Sequence, residues 1–252
     1  MNHITDQFYG ITSNNHETFV RGFRSVLKSI SVNKKGIYCS DNLFTWDKNL
    51  SFMKNQRLMK IFNKHSNGEY PLHGILWRIA TIIWAAENGL KLEGDFVECG
   101  CYKGTTAKVV FDYFNFSNIK NKEYYLYDLF KHEDTFTHHS MPEHSETLYH
   151  EVKKLFKNKK NVKITKGKLP ETLSINCPEK ISFLHLDLNN AVAEIDTLEI
   201  LFNKMVSGSI LILDDFGWGA YHDQCKLELE WFTNKGYSVL EIPTGQGIVI
   251  KR

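Results

Sequence analysis

The chain holds 252 residues, of which 42% are hydrophobic and 24% charged. Those proportions suit a folded globular protein and exclude disordered and fibrous classes. A balance of 31 basic against 29 acidic residues leaves a formal charge of +2, so nothing global argues for nucleic acid or an anionic membrane as partner.

Met1 to His16 is polar and has no apolar core, so no signal peptide is expected. In residues 1–63 the pattern is irregular and rich in Asn, Lys, Ser and aromatics. ETFVRGFRSVLKSI places Phe19, Phe23, Val26, Leu27 and Ile30 at helical spacing. Leu43, Phe44, Trp46, Leu50, Phe52 and Met53 read as a short helical cap. KHSNGEYP, Lys64 to Pro71, reads as a loop. The chain is expected to divide here. Residues 1–70 would form a helical cap serving substrate binding and assembly, and residues 71–252 a larger domain.

GILWRIATIIWAAENGL, Gly74 to Leu90, is broken by Arg78 and Glu87. It is too short and too charged to span a bilayer, and predicts a buried helix over about 73–89. Strands are expected at DFVEC (95–99), YYLYD (124–128), VKITKG (162–167), ISFLHLD (181–187) and SILILDD (209–215). Helices fill the intervals. One carries Val192, Ile195, Leu198, Phe202 and Met205 on a single stripe, and another Tyr221, Cys225, Leu229 and Phe232. YSVLEI-PTGQ-GIVIK closes the chain as a hairpin. The fold class is therefore α/β, a Rossmann-like and mostly parallel sheet with an antiparallel C-terminal hairpin strand and an N-terminal helical cap. Right-handed crossovers would put the carboxyl ends of all five strands on one edge, where such sheets bind ligands.

Four sets of residues bear on chemistry. ECGCYKG, Glu98 to Gly104, turns from a strand into a helix, and Gly100 and Gly104 permit a tight turn there. It is not the dinucleotide fingerprint, because Tyr102 and Thr105 stand where GxGxxG needs glycine. Asp128 ends a strand, where an acid can accept two ribose hydroxyls or simply cap a turn. Asp187, Asp214 and Asp215 end two strands expected to be neighbours. Three close carboxylates repel, and a hard divalent cation, Mg²⁺ or Mn²⁺, would compensate them. Solvated turn acids are the plainer alternative. The loop KHEDTFTHHSMPEHSE holds His132, His138, His139 and His144, but in no standard zinc spacing. The lysine-rich run from Lys153 to Lys168 lacks interleaved aromatics and reads as a solvated face. Five cysteines, none in a CxxC pair, predict reduced thiols and a cytoplasmic location.

GDFVECGCYKG, FLHLDLNNAVAEIDTLE, ILDDFGWG and TGQGIVIK together resemble the macrocin O-methyltransferase (TylF-like) family, over roughly residues 72–252. The strand plan resembles that of class I S-adenosylmethionine-dependent methyltransferases. The resemblance implies a metal-dependent O-methyltransferase acting on a sugar hydroxyl. The acceptor would be a nucleotide-activated hexose or heptose used in a bacterial surface or capsular polysaccharide. It places Glu98, Gly100 and Gly104, with Tyr102 and Thr105 in the same turn, at the cofactor's methionine part, and Thr106 at its carboxylate. Asp128 falls on the ribose acid, Gly167 on the adenine side, and Asp187 at the meeting of cofactor and metal. Asp187, Asp214 and Asp215 fall on the metal-binding carboxylates. Where members often read LDGD, this chain reads LDLN, and Asn189 cannot take up a proton. The candidates for general base are Asp187, His222 and a loop histidine such as His139.

Other classes remain in view. A phenol or catechol O-methyltransferase would use a similar metal site, and a non-catalytic cofactor-binding module would tolerate loss of the acids. The missing GxGxxG argues against a nicotinamide oxidoreductase. The aromatic-rich N-terminal segment predicts a homodimer or larger assembly.

Overall fold

The computed structural model describes residues 1–5, 7–11, 13–31, 36–66, 72–131 and 143–252. It separates into two units, Met1–Ala80 and Thr81–Arg252.

In the first unit, β1 (His3–Ile4) lies outside helix α1 (Ser13–Ser31) in sequence and pairs in parallel with β2 (Tyr38–Ser40). β3 (Leu43–Thr45) returns antiparallel to β2. Asp41 and Asn42, both at φ 56, make the two-residue turn between them. Such mirror-image turns match the twist of paired strands, and Asp and Asn tolerate positive φ better than most residues. The helical reading of residues 43–53 is corrected here. Leu43 to Thr45 is extended, and only Ser51–Lys54 makes a 3-10 turn. Apolar spacing over so short a run fits either form, and the Asp-Asn pair decides it. Phe23 of α1 packs edge-on against Phe8 and Phe44, each at 5.2 Å. Leu27, Ile37 and Cys39 form the small core beside them. The Asn55 side chain accepts the Leu58 amide at 3.0 Å and so starts α2 (Gln56–Ser66), which buries Leu58 and Phe62. Helix α3 (Leu76–Gly89) carries the chain across the boundary between the units.

The second unit is built on β4 (Asp95–Cys99), α4 (Thr105–Phe114), β5 (Tyr124–Asp128), α5 (Glu146–Leu155) and β6 (Val162–Lys166). It continues with β7 (Ile181–Leu186), α6 (Ala191–Lys204), β8 (Met205–Leu213), α7 (His222–Asn234), β9 (Leu240–Glu241) and β10 (Gly247–Ile250). The sheet order is β6-β5-β4-β7-β8-β10-β9. β4 to β8 are parallel, and β10 runs antiparallel to both β8 and β9. Every residue of β5 and β7 is buried, as central parallel strands require when both faces are covered.

Leu184, Leu186, Leu211 and Leu213 pack with Leu198, Leu201, Phe202 and Phe232 into one core. Burying a side chain such as Phe202 stabilises by about 2 to 3 kcal/mol. β8 begins at Met205, earlier than the expected Ser209. Gly208, at φ 84, and a register shift opposite Ile181 and Phe183 let the strand pass a Gly-Ser pair that reads as a breaker. Asp187, Asp214 and Asp215 therefore lie just beyond their strands. The direction of strand succession reverses between β4 and β7, and open α/β sheets bind ligands at such a point.

Candidate active site

The turn after β4 is held by Gly100 and Cys101, whose amides both donate to the Tyr127 carbonyl, at 2.8 and 3.1 Å. Gly100 has φ 86, and a Cβ there would stand 1.7 Å from the Asp187 carbonyl oxygen. The glycine is thus required by the close approach of the β4 and β7 ends, one strand end against the other. Gly104 has φ 68, and a Cβ on it would press on the Phe156 ring at 3.2 Å. Thr105 and Thr106 open α4 and are half-buried, as is Tyr102.

Asp128 ends β5 and is buried. Its Oδ2 accepts the Tyr102 amide at 2.7 Å, and its Oδ1 accepts the Phe130 amide at 2.6 Å. Burial raises its pKa, and these two amides oppose the shift. The Gly167 amide donates to the Asp128 carbonyl at 2.9 Å, which fixes Gly167 beside the β5 end. His144 Nε2 stands 3.6 Å from Asp128 Oδ1, and the His144 ring meets Tyr102 edge-on at 5.1 Å. The following residue, Ser145, caps α5 by accepting the Leu148 amide. Glu143 bonds both Tyr102 Oη and Lys103 Nζ. Sequence reasoning grouped His144 with the loop histidines. The sign of its different role is its place just ahead of a Ser-x-x-Leu helix start. His132, His138 and His139 lie outside the described residues.

At the ends of β7 and β8, Asp187 and Asp214 come together with His185, each offering one ligand atom within 4.8 Å of the others. Burial and the charges of Asp214 and Asp215 push the Asp187 carboxyl well above its usual range. Asp215 thus shares the field of the group, though its carboxylate is not one of the three converging atoms. Asn189 donates from Nδ2 to Asp187 Oδ1 at 3.3 Å. His185 is buried with Asp214 on one side and Glu98 on the other. Burial disfavours its protonated form, but the two acids outweigh that and raise its pKa. Glu98 is itself buried and accepts from Tyr124 Oη at 2.8 Å. His222 begins α7 and is exposed. Among the described residues no hydrogen bond or ion pair joins it to the acids.

Sequence reasoning missed Glu194, Glu228 and Gln246, all without exposed surface. Glu194 Oε1 accepts the Leu188 amide at 2.9 Å and faces Glu228. Burial pushes Glu228 up to about 7. Gln246 sits in the PTGQG turn and donates to Asp214 Oδ1 at 2.7 Å. Only the unbroken apolar flank of that turn could have hinted at its burial.

The buried His185 nitrogens lack a well-formed hydrogen bond, and a cation would relieve the repulsion that raises Asp187. The oxygen donors of Asp187 and Asp214 are those that Mg²⁺ or Mn²⁺ takes, so the group fits a divalent cation. The glycine turn, the start of α4 and the buried Asp128, held by an amide on each oxygen, fit an adenosyl cofactor.

Sheet order, antiparallel β10 and the turn at the β4 end define a class I methyltransferase fold. The sequence profile described as Macrocin-O-methyltransferase (TylF) matches residues 80–238. The chain belongs to that family, and so is an S-adenosylmethionine-dependent O-methyltransferase. Among solved structures it is similar to the O-methyltransferase NovP, with 18% identity over 72% of this chain and 82% of that one, at a TM-score of 0.59. CalS11, a TDP-rhamnose 3'-O-methyltransferase of calicheamicin biosynthesis, gives 13% identity over 82% and 97%, at 0.56. The methyltransferase PaMTH1 of Podospora anserina, solved with S-adenosylhomocysteine, gives 14% identity over 97% and 100%, at 0.56. No curated protein matches the chain significantly. Among the described residues no helix is long and apolar enough to cross a membrane.

Proposed function

We propose that this enzyme methylates a hydroxyl of a nucleotide-activated hexose or heptose, at a site that requires Mg²⁺ or Mn²⁺. The convergence of Asp187, Asp214 and His185 beside the Gly100 turn carries the proposal. It supports a reading in which a cation held by this group lies beside the turn that would bind the cofactor, an arrangement that would bring an acceptor oxygen to a methyl donor. The cofactor supplies an activated methyl group. A bound cation would orient the acceptor hydroxyl and lower its pKa.

The chain's own residues do the rest. Asp128 would take the ribose hydroxyls, with Gly167 on the adenine side. The Glu98–Thr106 segment would hold the methionine part, aligning methyl and oxygen so that proximity supplies much of the rate. Asp187 and Asp214 would hold the cation, and Asp215, whose charge already acts on Asp187, would join them. With Asn189 unable to accept a proton, we assign proton removal to Asp187, since His222 is exposed on α7. The TDP-sugar named for CalS11 supports a nucleotide sugar as acceptor. A surface polysaccharide as its destination, a cytoplasmic site of action and a homo-oligomeric state belong to the same proposal. So does a division of labour in which residues 1–70 serve substrate binding and residues 71–252 the transfer.

The test is a mass-spectrometric search for methyl transfer to a panel of nucleotide hexoses and heptoses, with a catechol alongside, with and without chelator. A methylated nucleotide sugar that disappears with chelator is expected. Full yield in chelator would remove the cation from the proposal. Methylation of the catechol alone would remove the sugar.

A further inference from the structure

Six buried polar side chains form a continuous row across five neighbouring strand positions of the main sheet. Tyr124 on β5 donates to Glu98 Oε2 on β4 at 2.8 Å. Glu98 Oε2 lies 3.9 Å from Nδ1 of His185, its register partner on β7. His185 Nε2 lies 3.4 Å from Oδ1 of Asp214, just past β8. The same Oδ1 accepts Nε2 of Gln246, just ahead of β10, at 2.7 Å. Gln246 Oε1 in turn accepts the Thr244 hydroxyl at 3.0 Å. None of the six is more than 8% exposed.

Such a row is costly. Each polar group gives up water, and apolar side chains would fill the same space more cheaply. Its geometry shows what it secures. One oxygen of Asp214 accepts the Gln246 amide, and the His185 imidazole stands 3.4 Å from the same oxygen as an ion-pair partner. These contacts limit where that oxygen of Asp214 can lie. At the far ends, Glu98 is held by the Tyr124 hydroxyl and faces His185 as an ion-pair partner, and Gln246 is bonded to Thr244. A Gln amide cannot rotate freely when both its oxygen and its nitrogen are bonded.

We infer that His185 and Gln246 are positioning residues, which hold Asp214 in the orientation that binds the divalent cation. The inference rests on the cation site proposed above. The positioning role acts through Asp214 and does not require contact with the cation, although a ring nitrogen of His185 lies within 4.8 Å of the Asp187 and Asp214 oxygens. Losing a group that orients a metal ligand from behind typically costs about ten- to a hundredfold in metal affinity. The cofactor's ribose contact at Asp128 stands apart from this row, so cation affinity should respond to changes that leave cofactor affinity alone.

The experiment measures Mn²⁺ binding by the electron paramagnetic resonance signal of free Mn²⁺. S-adenosylhomocysteine binding is measured by calorimetry on the same preparations. Gln246→Met keeps the length of the side chain and removes the donor. It should weaken Mn²⁺ by about ten- to a hundredfold and leave S-adenosylhomocysteine affinity unchanged. His185→Leu should lose Mn²⁺ affinity alike, whereas His185→Gln, which restores a donor near Nε2, should recover most of it. A purely structural role would lower both affinities together or move neither.

Wild-type Mn²⁺ affinity in both Gln246→Met and His185→Leu overturns the inference. Equal losses in His185→Gln and His185→Leu also overturn it, because the imidazole is then a ligand in its own right. If Gln246→Met fails to fold, the His185 pair decides alone. Absence of Mn²⁺ binding in the wild type would strike the cation site itself, and is thereby distinguishable from failure of the positioning role.

Discussion

Glu228 on α7 and Glu194 on α6 face each other without exposed surface. Burial pushes Glu228 to about 7, from an ordinary 4.5. A carboxyl with a raised folded pKa binds its proton better in the folded state. Its stabilising contribution is full below the unfolded value and is lost as pH rises through about 7. Glu228→Gln keeps the shape and removes the titration. In thermal denaturation of cation-free protein from about pH 5 to pH 8, wild type should lose stability relative to the variant. Equal pH dependence in the two proteins would contradict the burial argument. Asp128 makes a separate case. Both of its oxygens are fixed by backbone amides, so it is ready to accept hydroxyls without rearrangement. Hydrogen bonds to a charged group contribute about 1.5 to 3 kcal/mol, so Asp128→Ala should weaken S-adenosylhomocysteine by roughly tenfold or more. Calorimetry checks this, and an unchanged constant would displace Asp128 from the cofactor site.

Among the elements, the β4–turn–α4 unit depends on one glycine. Gly100→Ala would drive a methyl group onto the Asp187 carbonyl at a backbone angle that favours glycine. It should destabilise by about 2 kcal/mol or more in urea denaturation. Because the clash bears on Asp187, Mn²⁺ affinity should fall with it. Helix α6 illustrates ordinary packing. Phe202 is buried between Trp231, Phe232 and Tyr237, with ring centroids 5.0 to 5.5 Å away. Phe202→Ala should cost about 3 to 5 kcal/mol without changing the cofactor affinity of the folded fraction. A loss below about 1 kcal/mol would mean that the helix is not held by this face. β3 shows where local pattern misleads. Leu43, Phe44 and Trp46 satisfy a helical spacing as well as an extended one, and the turn at Asp41 and Asn42 makes the choice.

At the level of the molecule, the second unit was legible because its strands are short apolar runs with acids or glycines at their ends. β4, β5 and β7 stand within a residue of where DFVEC, YYLYD and ISFLHLD put them. The grouping of Asp187 with Asp214 followed from β7 and β8 being neighbours, which alternating strands and helices imply. Less was legible where long-range packing decides. His185 reads as one more residue of a buried strand, and Gln246 as part of a turn, until the sheet brings β4, β7, β8 and β10 side by side. The same holds for Glu194 and Glu228, whose periodicity gives no sign that two acids share one buried space. His144 became informative only through its closeness to Asp128.

The most direct measurement sets turnover against cofactor binding in Asp187→Ala and Asp214→Ala. Formation of S-adenosylhomocysteine with an accepted sugar, in the presence of Mg²⁺, is followed in parallel with its binding by calorimetry. If these carboxylates hold the cation that prepares the acceptor, both variants lose turnover and keep most of their affinity for S-adenosylhomocysteine. Wild-type turnover in either variant would contradict that claim.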